Sequence, residues 1–198
     1  MTALSDIPCV ILAGGGSRRF GSPKGLADFD GAPLISRIVE MISRQSSAPI
    51  AINANEARHY EALALPILSD DADKAGIGPL AGISAAMRWG QKLKASTVAT
   101  LAVDTPFIPS DFLARLERAG APAVASSGGR IHAVCGLWQP QQMEALEDCI
   151  ANGVRAAREW ANLCGARACE FELSGGHDPF FNVNTPDDLK RALDILRS

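Results

Sequence analysis

Apolar and polar residues form alternating blocks along roughly the first 120 residues of the chain. Short apolar runs occur at 9–12, 49–53, 66–69 and 97–103. The runs CVIL and TVATLAV lack the polar alternation of a strand with one face in solvent, so they predict strands buried on both faces. Segments with apolar residues at helical spacing separate the runs, at 33–42, 56–64, 79–89 and 110–119. This order predicts βα units and a parallel sheet covered by helices on both faces.

The pattern changes after about residue 120. Two β-like runs flank the turn signal Ser127-Gly128-Gly129 and predict an antiparallel hairpin, so the sheet is expected to be mixed. Further helices are predicted at 141–153 and 154–163, and a strand at 166–173. Thr185-Pro186 predicts the start of a last helix, with a capping side chain followed by proline at the first helical position.

Composition limits the class of protein. The chain has 198 residues, of which 47% are hydrophobic and 21% charged, which is typical of one globular domain with its own core. A formal net charge of -3 argues against broad binding to nucleic acid or to an anionic membrane. Five scattered cysteines without a CxxC pair indicate reduced thiols, and no apolar run approaches about 18 residues. We therefore expect a cytoplasmic protein with no membrane and no nucleic-acid partner.

A glycine-rich segment, ILAGGGSRRFGSPKGL at 11–26, follows the first predicted strand. Such a loop is a common phosphate site because its unhindered backbone N–H groups can turn toward the anion. It is not a Walker A loop, since Ser22 follows Gly21 where lysine is required. It is not a dinucleotide fingerprint either, since Arg19 stands in place of the third glycine.

The cations of this segment are its remaining candidate chemistry. Arg18, Arg19 and Lys24 suit a polyphosphate whose leaving group gains negative charge during reaction. The alternative is a glycine-rich turn whose cations are solvated at the surface.

Polar residues follow the other predicted strands. Asn53, Asp70 and Asp104 all fall at the sheet edge where ligands bind in open α/β folds. Asp104 could hold Mg²⁺, and the other two could contact a base or ribose, although turn formation is the alternative for each. Near the C-terminus, Asn182 and Asn184 share one side if their segment is extended.

The glycine-rich segment is similar to the LAGGxSxRMGxxK signature of nucleotidyltransferases that build activated nucleotides. Within that group the chain resembles the molybdenum cofactor guanylyltransferases. This narrower resemblance rests on five further segments in order: INAN at 52–55, LSDD at 68–71, GIGPLAGI at 76–83, VDTPFIP at 103–109 and FNVNTPDDL at 181–189.

The resemblance implies a fold and a reaction. The fold is α/β, a three-layer Rossmann-like sandwich with a mostly parallel, mixed central sheet of the nucleotide-diphospho-sugar transferase type. The activity is transfer of GMP from GTP to the terminal phosphate of molybdenum-molybdopterin cofactor, with release of pyrophosphate. A single domain over 1–198 is implied, with a nucleotide-binding half at about 1–107 and a half at about 108–198 that contributes the pterin site.

The resemblance also implies roles for individual residues. The implied catalytic residues are Arg19, Lys24 and Asp104, and the implied Mg²⁺ ligand is Asp104. The pterin substrate falls to Gly82, Asn182 and Asn184, with simple helix entry as the alternative for the glycine. The positions that match the family's GTP contacts are Leu12, Ala13, Gly14, Gly15, Lys24, Asn53, Asp70 and Asp104. Asp71 is the alternative to Asp70, because a shift of the alignment by one residue would exchange the two. Implied partners are GTP, the molybdopterin cofactor and, transiently, molybdopterin-carrying proteins and molybdoenzyme apoproteins.

Departures from the family pattern and rival functions remain. The chain has Phe20 for methionine and His132-Ala133 for His-Pro. His132 is a candidate pterin contact, with a packed or surface histidine as the alternative. Transfer from CTP, or transfer to a sugar phosphate, is the nearest rival, although CTP-using relatives typically have LAAG where this chain has Gly14-Gly15. A non-catalytic nucleotide or pterin carrier is the rival from another class.

Overall fold

The computed structural model describes residues 4–14, 23–71, 74 and 77–197. Its main sheet has seven strands: β1 (Cys9–Leu12), β4 (Ile50–Asn53), β5 (Ile67–Leu68), β6 (Val98–Ala102), β7 (Ala123–Ser127), β8 (Arg130–Trp138) and β9 (Arg167–Glu170). A small hairpin is formed by β2 (Asp28–Phe29) and β3 (Ala32–Pro33). The helices are α1 (Leu34–Ser43), α2 (Pro79–Lys92), α3 (Phe112–Ala119), α4 (Met143–Ala151), α5 (Ala157–Leu163) and α6 (Pro186–Arg197).

The main sheet is mixed and mostly parallel, as the sequence predicts. Its strand order is β5-β4-β1-β6-β8-β7-β9. Only β8 runs against its neighbours, because it pairs antiparallel with both β6 and β7, whereas the other neighbouring pairs are parallel. The carboxyl ends of β5, β4, β1 and β6 therefore lie along one edge, and the N-terminal end of β8 joins them there.

The alternation of side chains along the sheet creates two hydrophobic layers. In β1, Cys9 and Ile11 pack into one core with α1 and α3, whereas Val10 and Leu12 pack into the other with α2, α4 and α5. All four side chains are buried because helices cover both faces, which explains the continuous apolar run in the sequence. The result is the predicted three-layer arrangement.

The last helix is capped as the sequence predicts. The Asp188 backbone N–H donates to Thr185 Oγ1 at 3.1 Å, and the Thr185 N–H donates to Asp188 Oδ2 at 3.0 Å. This reciprocal pair satisfies backbone donors at the start of α6. The helix packs with the β2–β3 hairpin and the start of α1 around Phe29, Leu34 and Val183, so it holds the C-terminal segment against that part of the chain.

Two local features differ from the sequence predictions. The segment 56–64 forms two 3₁₀ turns, 57–59 and 61–63, so the predicted helix there is wrong. Of its residues Tyr60 alone is buried, and the left-handed backbone of Ala64 (φ 52°) ends the second turn, so a continuous helix would have no face to bury. The β2–β3 hairpin was not predicted, although its Asp30-Gly31 turn, with φ 58° and 85°, carries the Asp-Gly signal of a two-residue hairpin.

Candidate active site

A cleft of about 1000 Å³ opens at the carboxyl ends of the parallel strands. It collects predicted site residues from segments that are far apart in the sequence. Of these residues, the cleft is lined by Leu12, Ala13, Gly14, Lys24, Asn53, Asp70, Gly82, Asp104 and Asn182. The arrangement follows from the topology, because parallel strands bring their carboxyl ends to one edge of the sheet.

The centre of the cleft is an ion pair held by two asparagines, and we call these four residues the reaction centre. Lys24 Nζ donates to Asp104 Oδ2 at 3.1 Å and to Asn184 Oδ1, while Asn182 Nδ2 donates to Asp104 Oδ1 at 3.1 Å. The side chains of Lys24 and Asp104 are 22% and 14% exposed, so solvent screens their charges only partly. Asp104 therefore accepts from distant side chains and does not act as a local turn cap.

The backbone of Asp104 also orders the C-terminal segment. Its carbonyl accepts from the Val183 N–H at 2.8 Å. The residues on either side, Asn182 and Asn184, then both reach the same ion pair. This confirms the prediction that the two side chains share one side of the segment.

Asn53, Asn55 and Asp70 form a second polar cluster at the ends of β4 and β5. We call it the base corner, because the sequence predicts that Asn53 and Asp70 contact the nucleotide base. Asn53 is 3% exposed, and its Nδ2 donates to Asp70 Oδ1 at 2.9 Å and to the Leu68 carbonyl at 3.1 Å. Asn55 Nδ2 donates to Asp70 Oδ2 at 2.9 Å, and the Asp70 N–H donates to Asn55 Oδ1 at 3.0 Å. Two amides thus hold one carboxylate in a fixed orientation at the cleft wall.

Two glycines lie against Asn53 in this corner, and one of them is required by the close packing. A Cβ on Gly82 would lie 2.7 Å from Asn53 Oδ1 and 3.1 Å from a methyl carbon of Leu12, which is too close without movement. A Cβ on Gly14 would lie 3.6 Å from Asn53 Oδ1, an ordinary contact. Gly82 thus lies beside the proposed nucleotide residues, apart from Asn182 and Asn184, and its assignment to the pterin stays a prediction.

Asp71, next to Asp70, belongs to a different cluster. Its carboxylate accepts from Arg88 and, at 3.0 Å, from Lys74, and both cations also contact Glu147. The hydrogen bond from Arg88 is the main cause that lowers the pKa of Asp71 to about 2. The two adjacent carboxylates therefore have different partners: Asp70 faces the amides of the cleft, and Asp71 joins the loop to α2 and α4.

Some predicted residues are outside the described ranges. Gly15, Arg18, Arg19 and Phe20 lie there, so the proposed catalytic role of Arg19 and the nucleotide role of Gly15 stay predictions. In the ranges that the structure does describe, no group of three or more His, Cys, Asp or Glu side chains could hold a metal ion. Among those same residues, no helix is long and apolar enough to cross a membrane.

The sequence analysis missed part of the site. Asn55, which orients Asp70, was not singled out, although it stands two residues after Asn53 just as Asn184 follows Asn182. Arg130 was also missed, and it lines the cleft from β8 together with His132, the candidate pterin contact. They are two residues apart on one strand, which is the spacing of side chains on a common face.

The fold and the cleft together define an α/β nucleotidyltransferase of the nucleotide-diphospho-sugar transferase type. A family model described as a MobA-like NTP transferase domain matches residues 9–166. A relative named molybdenum cofactor guanylyltransferase, from Rhodobacter capsulatus, is 38% identical over 188 residues, which cover 95% of each chain. The chain belongs to the MobA-like NTP transferase family, and the resemblance based on its motifs is confirmed.

Solved structures agree with this assignment. The crystal structure of molybdopterin-guanine dinucleotide biosynthesis protein A from Archaeoglobus fulgidus has a TM-score of 0.73 at 25% identity, covering 96% of this chain and 99% of that one. A CMP:2-keto-3-deoxy-manno-octonic acid synthetase complexed with CTP has a TM-score of 0.68 at 16% identity, covering 98% and 99%. The second likeness concerns the fold alone.

Proposed function

We propose that this protein transfers GMP from GTP to the terminal phosphate of a molybdenum-molybdopterin cofactor and releases pyrophosphate. The observation that carries the proposal is the reaction centre, in which Lys24, Asp104 and Asn182 meet at the carboxyl edge of a nucleotidyltransferase sheet. The name of the 38% identical relative, molybdenum cofactor guanylyltransferase, supports this choice of nucleotide and acceptor.

The base corner suits guanine. The Asp70 carboxylate is oriented by Asn53 and Asn55 and lines the cleft, where it can accept hydrogen bonds from the N1–H and the 2-amino group of guanine. Cytosine lacks this pair of adjacent donors. The nucleotide would therefore lie with its base near β4 and β5 and its phosphates near Lys24.

The reaction centre suits phosphoryl chemistry without a general base. A phosphate oxygen of the acceptor forms a bond to the α-phosphorus of GTP, while the bond from that phosphorus to the bridging oxygen breaks and pyrophosphate leaves with the electron pair. Because a phosphate is already a nucleophile near neutral pH, the protein's contribution is positioning and charge stabilisation. We propose that Lys24 and Arg19 stabilise the negative charge that develops on the leaving pyrophosphate.

The carboxylate of Asp104 suits a magnesium ion. Nucleotidyltransferases of this family generally use a divalent metal, and Mg²⁺ is commonly bound by one or two carboxylates together with substrate phosphates. Asp104 offers such a hard oxygen ligand at the cleft, partly shielded from solvent. Mg²⁺ bound there would neutralise phosphate charge. Lys24 and Asn182 would keep the carboxylate oriented.

The acceptor belongs to the opposite side of the reaction centre. Asn182 and Asn184 are the proposed pterin contacts on this side, and the C-terminal half at about 108–198 supplies both. Gly82, the third proposed pterin contact, lies instead beside Asn53 of the base corner. We further propose transient contact with molybdopterin-carrying proteins and with the molybdoenzyme apoproteins that receive the product, in the cytoplasm.

A pyrophosphate-release assay tests the proposed function. GTP, CTP and ATP are supplied in parallel, each with and without molybdopterin cofactor and Mg²⁺. We expect release only with GTP, acceptor and metal together, accompanied by the guanine dinucleotide in the product analysis. Pyrophosphate release with CTP but not with GTP would make the protein a cytidylyltransferase. Binding of a nucleotide without pyrophosphate release from any of the three would support the carrier function.

A further inference from the structure

A buried polar cluster on β7 and β8 adjoins the cleft and has no part in the proposed chemistry. Ser127 Oγ lies 2.7 Å from His132 Nε2 and donates to Asp178 Oδ1 at 2.7 Å. The His132 ring stacks on Phe180, with ring centroids 4.7 Å apart. Ser127 is 2% exposed and His132 is 9% exposed, whereas the side chain of Asp178 is 28% exposed, so the surrounding core fixes the serine and the histidine in place.

The hydrogen bonds of the cluster determine which ring nitrogen carries the proton. An ionised carboxylate only accepts, so the single hydroxyl proton of Ser127 goes to Asp178. Ser127 Oγ must then accept from His132, which requires the proton on Nε2. Burial lowers the pKa of His132, which keeps the ring neutral near pH 7. In the neutral ring Nδ1 is left as a hydrogen-bond acceptor.

The remaining acceptor is accessible from the cleft. His132 lines the cleft. Within the part of the chain that the structure describes, Nδ1 has no hydrogen-bond partner, and it is not among the fully buried unpaired polar atoms. Because β8 runs antiparallel to β6, His132 lies at the carboxyl end of β6, on the far side of Asp104 from the base corner. His132 therefore lies on the side of the cleft where the second substrate is proposed to bind.

We propose that His132 is a specificity residue for the acceptor, whose Nδ1 accepts a hydrogen bond from a ring N–H or amino group of the pterin, with Ser127 and Asp178 as the positioning residues that keep Nδ1 unprotonated. The inference rests on the proposed function for the identity of the acceptor. Ser127 is buried and its proton is committed to Asp178, so the cluster is not a hydrolytic triad.

Kinetics of His132→Phe provide the first test. Phenylalanine retains a ring that can stack on Phe180 but removes the acceptor atom. We expect KM for the molybdopterin acceptor to rise about tenfold, while KM for GTP changes by less than about twofold. His132→Asn places a side-chain oxygen near the position of Nδ1, so it should restore most of the acceptor affinity. His177→Phe, at an exposed histidine, is the matched control and should leave both KM values unchanged.

The tautomer provides a second test that does not depend on activity. In the ¹⁵N-histidine NMR spectrum of the unaltered protein, we expect His132 to carry its proton on Nε2 and the Nδ1 resonance to move when free pterin is added. In Ser127→Ala the proton should distribute between the two nitrogens, and KM for the acceptor should rise by about threefold.

The outcomes separate this inference from the proposed function. Any of three results would overturn the role of His132. These are a proton on Nδ1 in the unaltered protein, an Nδ1 resonance that does not shift when pterin is added, and an unchanged KM for the acceptor in a folded His132→Phe protein. Absence of GTP-dependent turnover in the unaltered protein would instead contradict the proposed function, and the NMR titration with pterin would still decide the role of His132.

Discussion

The base corner and the reaction centre are built from contacts of very different range. At the base corner Asp70 contacts Asn53 and Asn55, which precede it by 17 and 15 residues. At the reaction centre Asp104 contacts Lys24 at a separation of 80 residues, and Lys24 contacts Asn184 at 160. The first is complete within two neighbouring strands, whereas the second requires most of the chain to be folded.

Because of this difference, we expect the base corner to contribute to GTP affinity and the reaction centre to contribute to turnover. The hydrogen bonds that orient Asp70 involve only residues at the ends of β4 and β5, so they do not depend on the C-terminal segment. The reaction centre depends on the Val183 hydrogen bond to the Asp104 backbone, which brings both asparagines to the ion pair. Changes at the reaction centre should therefore lower turnover, and changes at the base corner should lower affinity for GTP.

The largest effect is expected for Asp104→Ala. Loss of the carboxylate removes the proposed metal ligand and breaks the ion pair between Asp104 and Lys24, so kcat should fall by about a thousandfold. Asp111→Asn, at the exposed residue before α3, serves as the control and should retain full turnover. Near-normal kcat in a folded Asp104→Ala protein, verified by thermal unfolding, would remove the reaction centre from the mechanism.

Lys24→Met comes next, with an expected fall in kcat of about a hundredfold. The variant keeps much of the length of the side chain but loses the charge that should stabilise the leaving pyrophosphate. Lys92→Met, at the end of α2, is the matched control. If steady-state kinetics showed a higher KM for GTP but an unchanged kcat, Lys24 would contribute to GTP binding and not to stabilisation of the transition state.

Asp70→Asn should raise KM for GTP about tenfold and change kcat by less than about threefold, because an amide no longer offers two acceptors to the base. Asp71→Asn provides the neighbouring comparison, since the Asp71 carboxylate contacts Arg88 and Lys74. If KM for GTP rose more in Asp71→Asn than in Asp70→Asn, Asp71 would be the residue that contacts the base.

The smallest effect is expected for Gly14→Ala. The added Cβ would lie 3.6 Å from Asn53 Oδ1, so the protein should fold with an unchanged thermal midpoint. We expect the ratio of kcat/KM for GTP to that for CTP to fall by about threefold, because the methyl group narrows the base corner beside Asn53. An unchanged ratio would separate Gly14 from the choice of base.

Most of the architecture could be predicted because it depends on local patterns. The β7–β8 hairpin, the cap at Thr185 and the mixed sheet are confirmed. The prediction for 56–64 was wrong because helical spacing alone says nothing about whether neighbouring elements leave a face to cover. The strand-end positions of Asn53, Asp70 and Asp104 at one cleft were also predicted, since parallel topology alone brings them together.

The sequence alone therefore determined the class of fold, the edge of the sheet where the cleft lies and most of the residue types that line it, because strand polarity follows from the alternation of strands and helices. Only the tertiary structure decided the partners of these residues. It brought Asn182 to Asp104, gave Asp70 and Asp71 different contacts and joined His132 to Ser127 and Asp178. Such contacts depend on the packing of distant segments within a few ångströms, which local spacing does not encode.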